Sequence, residues 1–396
     1  MKKIKRFSAF LAALILSLSF SACDITLSVG SPSGSDSEIS DSDTTDDGLD
    51  DGETSDDATE NTPPADGNSS DDGTGNTPPT EDGAETPTKQ VDELSVHFLY
   101  LGNNTSGDCT LIKTGDTEIL IDAGSTTSSA GTIVPYISRY CTDGVLEYVI
   151  ATHGDQDHIA SFVGGSTYTG VFDNFVCETI IDAPRTNKTT QIYKNYVAKR
   201  DAEVAAGAKH YTALECWNNQ NGAQRSYVLG EGITLNILYQ KYYEVSHSVE
   251  NNYSVCVLIS QEENHYLFTG DLEESGEKSL VESNDLPKCK LYKAGHHGSK
   301  TATTAELMAV VQPEVVVASC CCGDKFDFPH QEFLNNIAPY TDKLYIPLAE
   351  GILLNGNIVV NSTDGKTVSV ACSNNNTLFK DTDWFKNNRV LPEQWK

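Results

Sequence analysis

From residue 94 onward the chain alternates short apolar runs with polar turns, whereas the first 90 positions after an apolar leader show no such pattern. Residues 94–101, 109–113 and 118–122 are apolar runs split by Gly, Asn and Asp turns, which predicts hairpin-linked strands. A helix is predicted over 132–139, followed by a strand over 145–151 (Val-Leu-Glu-Tyr-Val-Ile-Ala). Residues 191–205 place charged and apolar side chains at helical spacing and predict a longer helix. The second half repeats the style, with strands at 233–239, 254–260 and 265–268 and an acidic helix near 273–282. A strand at 289–294, a helix near 303–311 and a strand at 315–319 follow, and runs at 344–346, 358–360 and 368–370 end the domain in strands. Two strand-rich halves with helices between them predict an α/β domain, an αββα sandwich of two mixed sheets flanked by helices. An ordinary doubly wound sheet is the alternative, and the hairpin spacing of consecutive strands argues against it.

Composition divides the chain further. Residues 1–23 open with Lys2, Lys3, Lys5 and Arg6, continue through an apolar stretch from Phe7 to Phe20, and close on Ser21-Ala22-Cys23. This reads as a secretion signal, too short for a comfortable membrane span. Its end resembles a bacterial lipobox with Cys23 as the acylated residue, although Phe20 stands where Leu is usual; a signal anchor is the alternative. Residues 24–90 hold 19 acidic side chains against one base, Lys89, and echo Asn61-Thr62-Pro63-Pro64 at Asn76-Thr77-Pro78-Pro79. With almost nothing to bury, this segment is expected to be a disordered acidic tether between membrane and domain. A domain is expected over 91–375 and a C-terminal tail over 376–396.

The 306 residues after the tether carry 38 acids and 22 bases, enough chain for one sizeable core. That acidic body excludes wrapping long nucleic acid on a broad basic face, but leaves room for a site touching one or two phosphates. Ten cysteines accompany Cys23, several inside apolar runs, and buried thiols and disulfides both fit. Cys320-Cys321-Cys322 lacks the two-residue spacing of a structural zinc site.

The candidate chemistry lies where apolar runs stop. Thr152-His153-Gly154-Asp155-Gln156-Asp157-His158 packs two histidines and two aspartates onto the loop that ends the 145–151 strand. A loop there can aim imidazoles and carboxylates at one point, and mixed N/O ligands suit zinc, manganese or iron. Asp271 ends the run Leu267-Phe268-Thr269-Gly270, and His296-His297-Gly298-Ser299-Lys300 and Phe328-Pro329-His330 follow two more runs. Singly, Asp271 reads as a helix cap, the His pair as a solvated turn and His330 as a surface residue. Together they are His and Asp at successive strand ends, which one edge of a sandwich can collect.

These motifs, with Ile119-Leu120-Ile121-Asp122-Ala123-Gly124, resemble the metallo-β-lactamase superfamily, and within it the hydrolase domain of ComEC-type competence proteins, here in stand-alone lipoprotein form. The likeness runs from about Leu94 to Val370, with Asn252-Tyr253-Ser254-Val255 and Gly107-Asp108 also in place. A longer turn before Asp108 and Phe328 in place of a His depart from the pattern, and no run of membrane spans follows for a channel. The resemblance implies a centre for two divalent metal ions, zinc or manganese, with Asp155 in place of a His moving the preference toward manganese or magnesium. His153 and Asp155 would hold one ion, Asp157 and His158 the other, and Asp271 would bridge them. His296 or His297 would complete the second site or protonate a leaving oxygen, Asp157 would take part in the chemistry, and Ser299, Lys300 and His330 would meet the substrate. The implied activity is an extracytoplasmic, membrane-anchored metal-dependent hydrolase of a phosphodiester such as DNA. Cleavage of cell-envelope phosphodiesters of the teichoic acid type, or non-catalytic binding on the same fold, are the alternatives.

Overall fold

The computed structural model describes residues 91–396. The expected signal over 1–23, its Cys23 and the acidic tether over 24–90 lie outside the described residues. The first half of the domain supplies strands β1 (Leu94–Phe98), β2 (Thr110–Thr114), β3 (Thr117–Ile121), β4 (Val145–Ala151), β5 (Val176–Asp182) and β6 (Lys209–Thr212). The second supplies β7 (Ser226–Gly230), β8 (Ile233–Leu238), β9 (Cys256–Gln261), β10 (Asn264–Phe268), β11 (Leu291–Lys293) and β12 (Val315–Val317). Short strands β13 (Cys321–Cys322), β14 (Leu344–Tyr345), β15 (Leu348–Ala349) and β16 (Ile352–Leu353) follow, then β17 (Ile358–Ser362) and β18 (Ser369–Cys372).

One large sheet has the order β18-β17-β1-β2-β3-β4-β5-β6 and the other β14-β12-β11-β10-β9-β8-β7, with a small third sheet β13-β15-β16. In both, an antiparallel meander passes into a parallel half, at β3–β4 in the first sheet and β10–β11 in the second. The expected α/β sandwich of two mixed sheets flanked by helices is the fold observed. Its parallel strands carry the motifs at their carboxyl ends, where loops can converge without blocking a crossover.

The continuous apolar character of the central strands has a simple origin, since β3 and β12 are buried on both faces. Ile119 and Ile121 of β3 point between the sheets while Leu120 faces outward. Val315 and Val317 of β12 likewise face the other sheet while Val316 points away from it. Outside the first sheet lie helices α1 (Ala130–Ile137), α2 (Gln156–Val163) and α3 (Gln191–Ala206), which bury Ile133, Phe162 and Tyr196 against it. Outside the second lie α4 (Glu274–Ser283), α5 (Ala305–Val311), α6 (Gln331–Ile337) and α7 (Asp383–Asn388), contributing Leu280, Leu307, Phe333 and Phe385.

Residues 376–396, expected to be a tail, are part of this last layer. Phe379, Phe385 and Trp395 are buried in the second sheet's outer core, and the Trp395 indole donates to the Thr341 carbonyl at 2.8 Å. The core therefore extends past residue 375, because burying three aromatic side chains outweighs the entropy of ordering the segment. The ten described cysteines are free, all but Cys372 buried. Among the described residues no helix is long and apolar enough to cross a membrane.

His97 on β1 sits in the outer core with its Nδ1 2.9 Å from the Tyr136 hydroxyl and its Nε2 2.9 Å from Ser95 Oγ. Burial, helped by the Lys113 charge, pushes this imidazole down to about 4. The unfolded chain takes up the proton near the ordinary histidine value, so the stability is present above that pH and is lost as the pH falls toward about 4. We expect urea stability to decline over this window by at most about 3 kcal/mol on account of this group, and His97→Gln to flatten the decline. Parallel pH profiles for the two proteins would refute the assignment.

Candidate metal centre

His153, Asp157 and His158 are placed by the end of β4 and the start of α2. The expected loop is therefore only half a loop. Asp155 occupies the N-cap position of α2 with extended backbone, and Asp157 and His158 lie in the first helical turn. The turn is locked by a close approach: a Cβ on Gly124 would lie 1.4 Å from the Asp157 carbonyl oxygen, so only glycine fits there. The Asp108 and Ala123 amides donate to the carbonyls of Asp157 and His158, binding the loops after β1 and β3 to the same turn.

From the opposite sheet, β10 ends at Phe268 and the chain turns at Gly270 (φ 55°), where the Asp271 amide donates to Ser254 Oγ at 3.1 Å. After β11, His296 and His297 take consecutive left-handed conformations, φ 45° and 56°. Such backbone costs on the order of 1–3 kcal/mol per residue and is sustained by surrounding contacts. Here it turns His297 inward and leaves His296 at the rim.

Asp157, His158, Asp271 and His297 come together with one ligand atom each, all within 4.8 Å of one another. His158 Nε2 is 3.1 Å and His297 Nε2 3.3 Å from Asp271 Oδ2, and His297 Nε2 is 3.4 Å from Asp157 Oδ2. The His153 ring lies 4.1 Å from that of His158, centre to centre. The outer nitrogens are fixed: Asp122 accepts from His158 Nδ1 at 2.8 Å, and the Ser319 carbonyl accepts from His297 Nδ1 at 3.0 Å. Holding the Nδ1 proton outward presents each Nε2 lone pair inward, as metal-binding histidines require.

Other expected residues stand apart. Asp155 Oδ1 pairs with Lys188 Nζ at 2.5 Å, and its Oδ2 approaches His153 Nε2 to 3.3 Å without hydrogen-bonding it. His296 lies 4.0 Å from Asp271 Oδ2 and turns its Nδ1 to Thr301 Oγ1 at 3.0 Å, which makes His297 the inward member of the pair. Ser299, expected to meet substrate, is instead buried, with its Oγ 3.0 Å from that of Thr301; the tight turn folds the hydroxyl inward. His330 stands at the start of α6 and accepts the Lys300 amide at its Nδ1, 3.0 Å away, while the Lys300 side chain is exposed.

Asp108, Asp122, Lys293, Lys188 and Glu250 also stand at the site, beyond the ligands the motifs predict. Lys293 is buried against Asp108, and Glu250 accepts from the amides of Gly154 and Asn187 at 3.2 and 2.6 Å, bracing the motif loop against the Lys188 loop. For Asp108 and Asp122 the signal was the match of their motifs to the family pattern. The others carry no local signal.

Burial alone would raise the Asp271 carboxyl, but the imidazoles of His158, His297 and His296 hold it well below the usual carboxylate range. Conversely, burial would lower His158 and His297, and the carboxylates led by Asp271 drive both well above the ordinary imidazole value. His296 faces fewer carboxylates, and burial pushes it down to about 4.

The fit to divalent cations rests on unsatisfied atoms. His153 Nε2, His297 Nε2, Asp271 Oδ1 and Asp108 Oδ1 are buried without a hydrogen-bond partner. Native interiors rarely leave such atoms unpaired. Imidazole nitrogen with carboxylate oxygen is a donor set for zinc or manganese, so the residues fit a metal centre.

This architecture and this centre define the class. Residues 102–165 match the model of the metallo-beta-lactamase superfamily. It is similar to Recombination protein 2 of Haemophilus influenzae, 28% identical over 281 residues that cover 69% of this chain and 29% of the relative. It is also similar to ComE operon protein 3 of Bacillus subtilis, 23% identical over 273 residues, covering 60% of this chain and 31% of that one. The chain thus spans under a third of the length of either relative. Among solved structures, the metallo-beta-lactamase fold protein YhfI of Bacillus subtilis aligns with 68% of this chain and 100% of its own, at 12% identity and a TM-score of 0.40. The two mixed sheets with outer helices agree with the superfamily whose model residues 102–165 match.

Proposed function

We propose that this protein is a divalent-metal-dependent phosphodiesterase acting outside the cytoplasm on a strand such as DNA, held at the membrane by an acyl group on Cys23. The observation that carries the reading is the convergence of Asp157, His158, Asp271 and His297 within 4.8 Å, with His153 adjoining and nitrogen and oxygen atoms left unpaired. Asp157, His158, Asp271 and His297 would hold one cation, and His153 with Asp155 the second, Asp271 reaching both. When bound, such ions supply Lewis acidity toward a phosphoryl oxygen and lower the pKa of water. The chain's own part is to fix ligand tautomers through Asp122 and Ser319, to exclude water with the buried imidazoles, and to hold His296 at the rim as a neutral imidazole that can accept a proton. The carboxylate-rich ligand set favours manganese over zinc.

The test is hydrolysis of bis-p-nitrophenyl phosphate by the full chain supplied with manganese or zinc, beside elemental analysis. Turnover that falls to background in Asp157→Ala is expected, because Asp155, the other carboxylate at the start of α2, is paired with Lys188 and lies outside the four-residue cluster. Wild-type turnover no higher than that of Asp157→Ala with any divalent ion ends the phosphodiesterase reading, and absence of bound metal favours a binding protein.

A further inference from the structure

Next to the centre, the loop from Gly323 to Pro329 presents an aromatic ladder that the proposed chemistry does not use. Phe328 is buried, its ring 5.8 Å from that of His296 and 5.9 Å from that of His297. Phe326 stacks on Phe328 with centres 5.4 Å apart and planes inclined by 20°, yet it is 48% exposed. Lys325 Nζ stands 4.7 Å from the centre of the Phe326 ring, and the Lys300 side chain is exposed beyond His330.

The exposure is not that of a loose loop. Asp324 accepts the Phe326 amide at 3.0 Å with one oxygen and the Ser106 hydroxyl at 2.7 Å with the other. Arg389, from the segment after α7, donates to the Asp327 carbonyl at 2.6 Å, to the Asp327 carboxylate at 2.8 Å and to the Pro329 carbonyl at 2.8 Å. Asp324 is thus tied to the body and Asp327 is paired with Arg389 while remaining exposed, and Lys325 beside the ring is the cation the loop offers outward. Keeping a large apolar ring ordered in water, one aromatic neighbour from a metal ligand, is unfavourable for folding and favourable for a ligand with a flat face.

We infer that Phe326 is a stacking platform for one unstacked base of a single-stranded nucleic acid whose adjoining phosphodiester lies at the metal centre, with Lys325 meeting a flanking phosphate. An aromatic ring beside a lysine is how sequence-tolerant single-strand sites hold bases, and a polyol phosphate polymer has no π face to place there. The inference rests on the phosphodiesterase reading for the strand's orientation, and it assigns the substrate class to nucleic acid rather than envelope polymer.

The test is binding of a fluorescein-labelled thymidine decamer and of an abasic decamer to the full chain, in EDTA so that neither is cut, read by anisotropy. Wild type is expected to prefer the base-bearing strand by about 5- to 100-fold. Phe326→Ala should erase that preference, and Phe326→Trp should keep it. A wild type without preference, a preference that survives Phe326→Ala, its loss in Phe326→Trp, or equal competition by poly(glycerol phosphate) overturns the inference. A base preference without any hydrolysis of bis-p-nitrophenyl phosphate would sink the phosphodiesterase reading and leave the platform standing.

Discussion

An Asp271→Ala variant is expected to lose near-stoichiometric metal and, with it, hydrolysis by on the order of 10³-fold or more. The carboxylate is the meeting point of the two sheets' contributions. It faces His158 and His297 at 3.1 and 3.3 Å, has Lys293 at 3.7 Å, and keeps Oδ1 without a hydrogen bond. Zinc held by about four ligands is bound by roughly 10–16 kcal/mol, so one ligand is worth about a quarter of that, or 10²–10³-fold in affinity. Activity should fall further than affinity because the same oxygens would position both ions. Asp271→Asn separates charge from shape: it preserves volume and should still lose the metal, since a neutral amide cannot stand between two cations and two imidazoles. Elemental analysis and initial rates on bis-p-nitrophenyl phosphate check both variants. Retention of bound metal with more than a tenth of wild-type rate in Asp271→Ala would remove this residue from the centre.

How far such a residue can be seen in the sequence depends on whether its environment is local. The 145–151 strand was legible to the residue, and the helix predicted over 191–205 is α3, because apolar runs and helical spacing are short-range properties. His153, Asp157, His158, Asp271 and His297 were legible because each ends or follows a run that must be a strand. What the sequence hid were partners supplied through space. Lys188 is 33 positions from the Asp155 it neutralises, and Lys293 is far from Asp108 in the chain and buried against it, although lysine ordinarily marks a surface. The start of α2 was hidden too, since Asp155 caps it without a side-chain hydrogen bond and its first turn is polar. Strand β5, whose Val176, Cys177 and Glu178 run exposed, buried, exposed, carries an alternation that the motif next to it overshadowed. In the C-terminal segment, Phe379, Trp384, Phe385 and Trp395 were signal enough for a packed layer, and its Arg389 proves to hold the loop that carries Phe326.

The buried lysine leads to the second large effect. Lys293→Met is expected to destabilise the apo-protein by about 3–5 kcal/mol, the usual result of removing one partner from a buried ion pair. Lys293 is 3% exposed, pairs with Asp108, and donates to the Gly270 carbonyl at 3.2 Å, one residue before Asp271. Burial would lower its ammonium, and Asp108 and Asp271 instead raise it. Around it Asp108, Asp122 and Asp271 are all buried, so the ammonium offsets carboxylate charge that His158 and His297 alone must otherwise balance. Methionine fills similar volume and leaves Asp108 uncompensated beside Asp271. The unfolding temperature should drop by roughly 10 °C in EDTA. A divalent cation placed among the same carboxylates supplies the missing positive charge, so saturating manganese should restore more stability to Lys293→Met than it adds to wild type. Measured by calorimetry with and without the ion, a larger manganese-induced gain in the variant marks Lys293 as the charge that holds this site together. Equal gains in the two proteins would mean that the lysine acts only through its packing on Gly270.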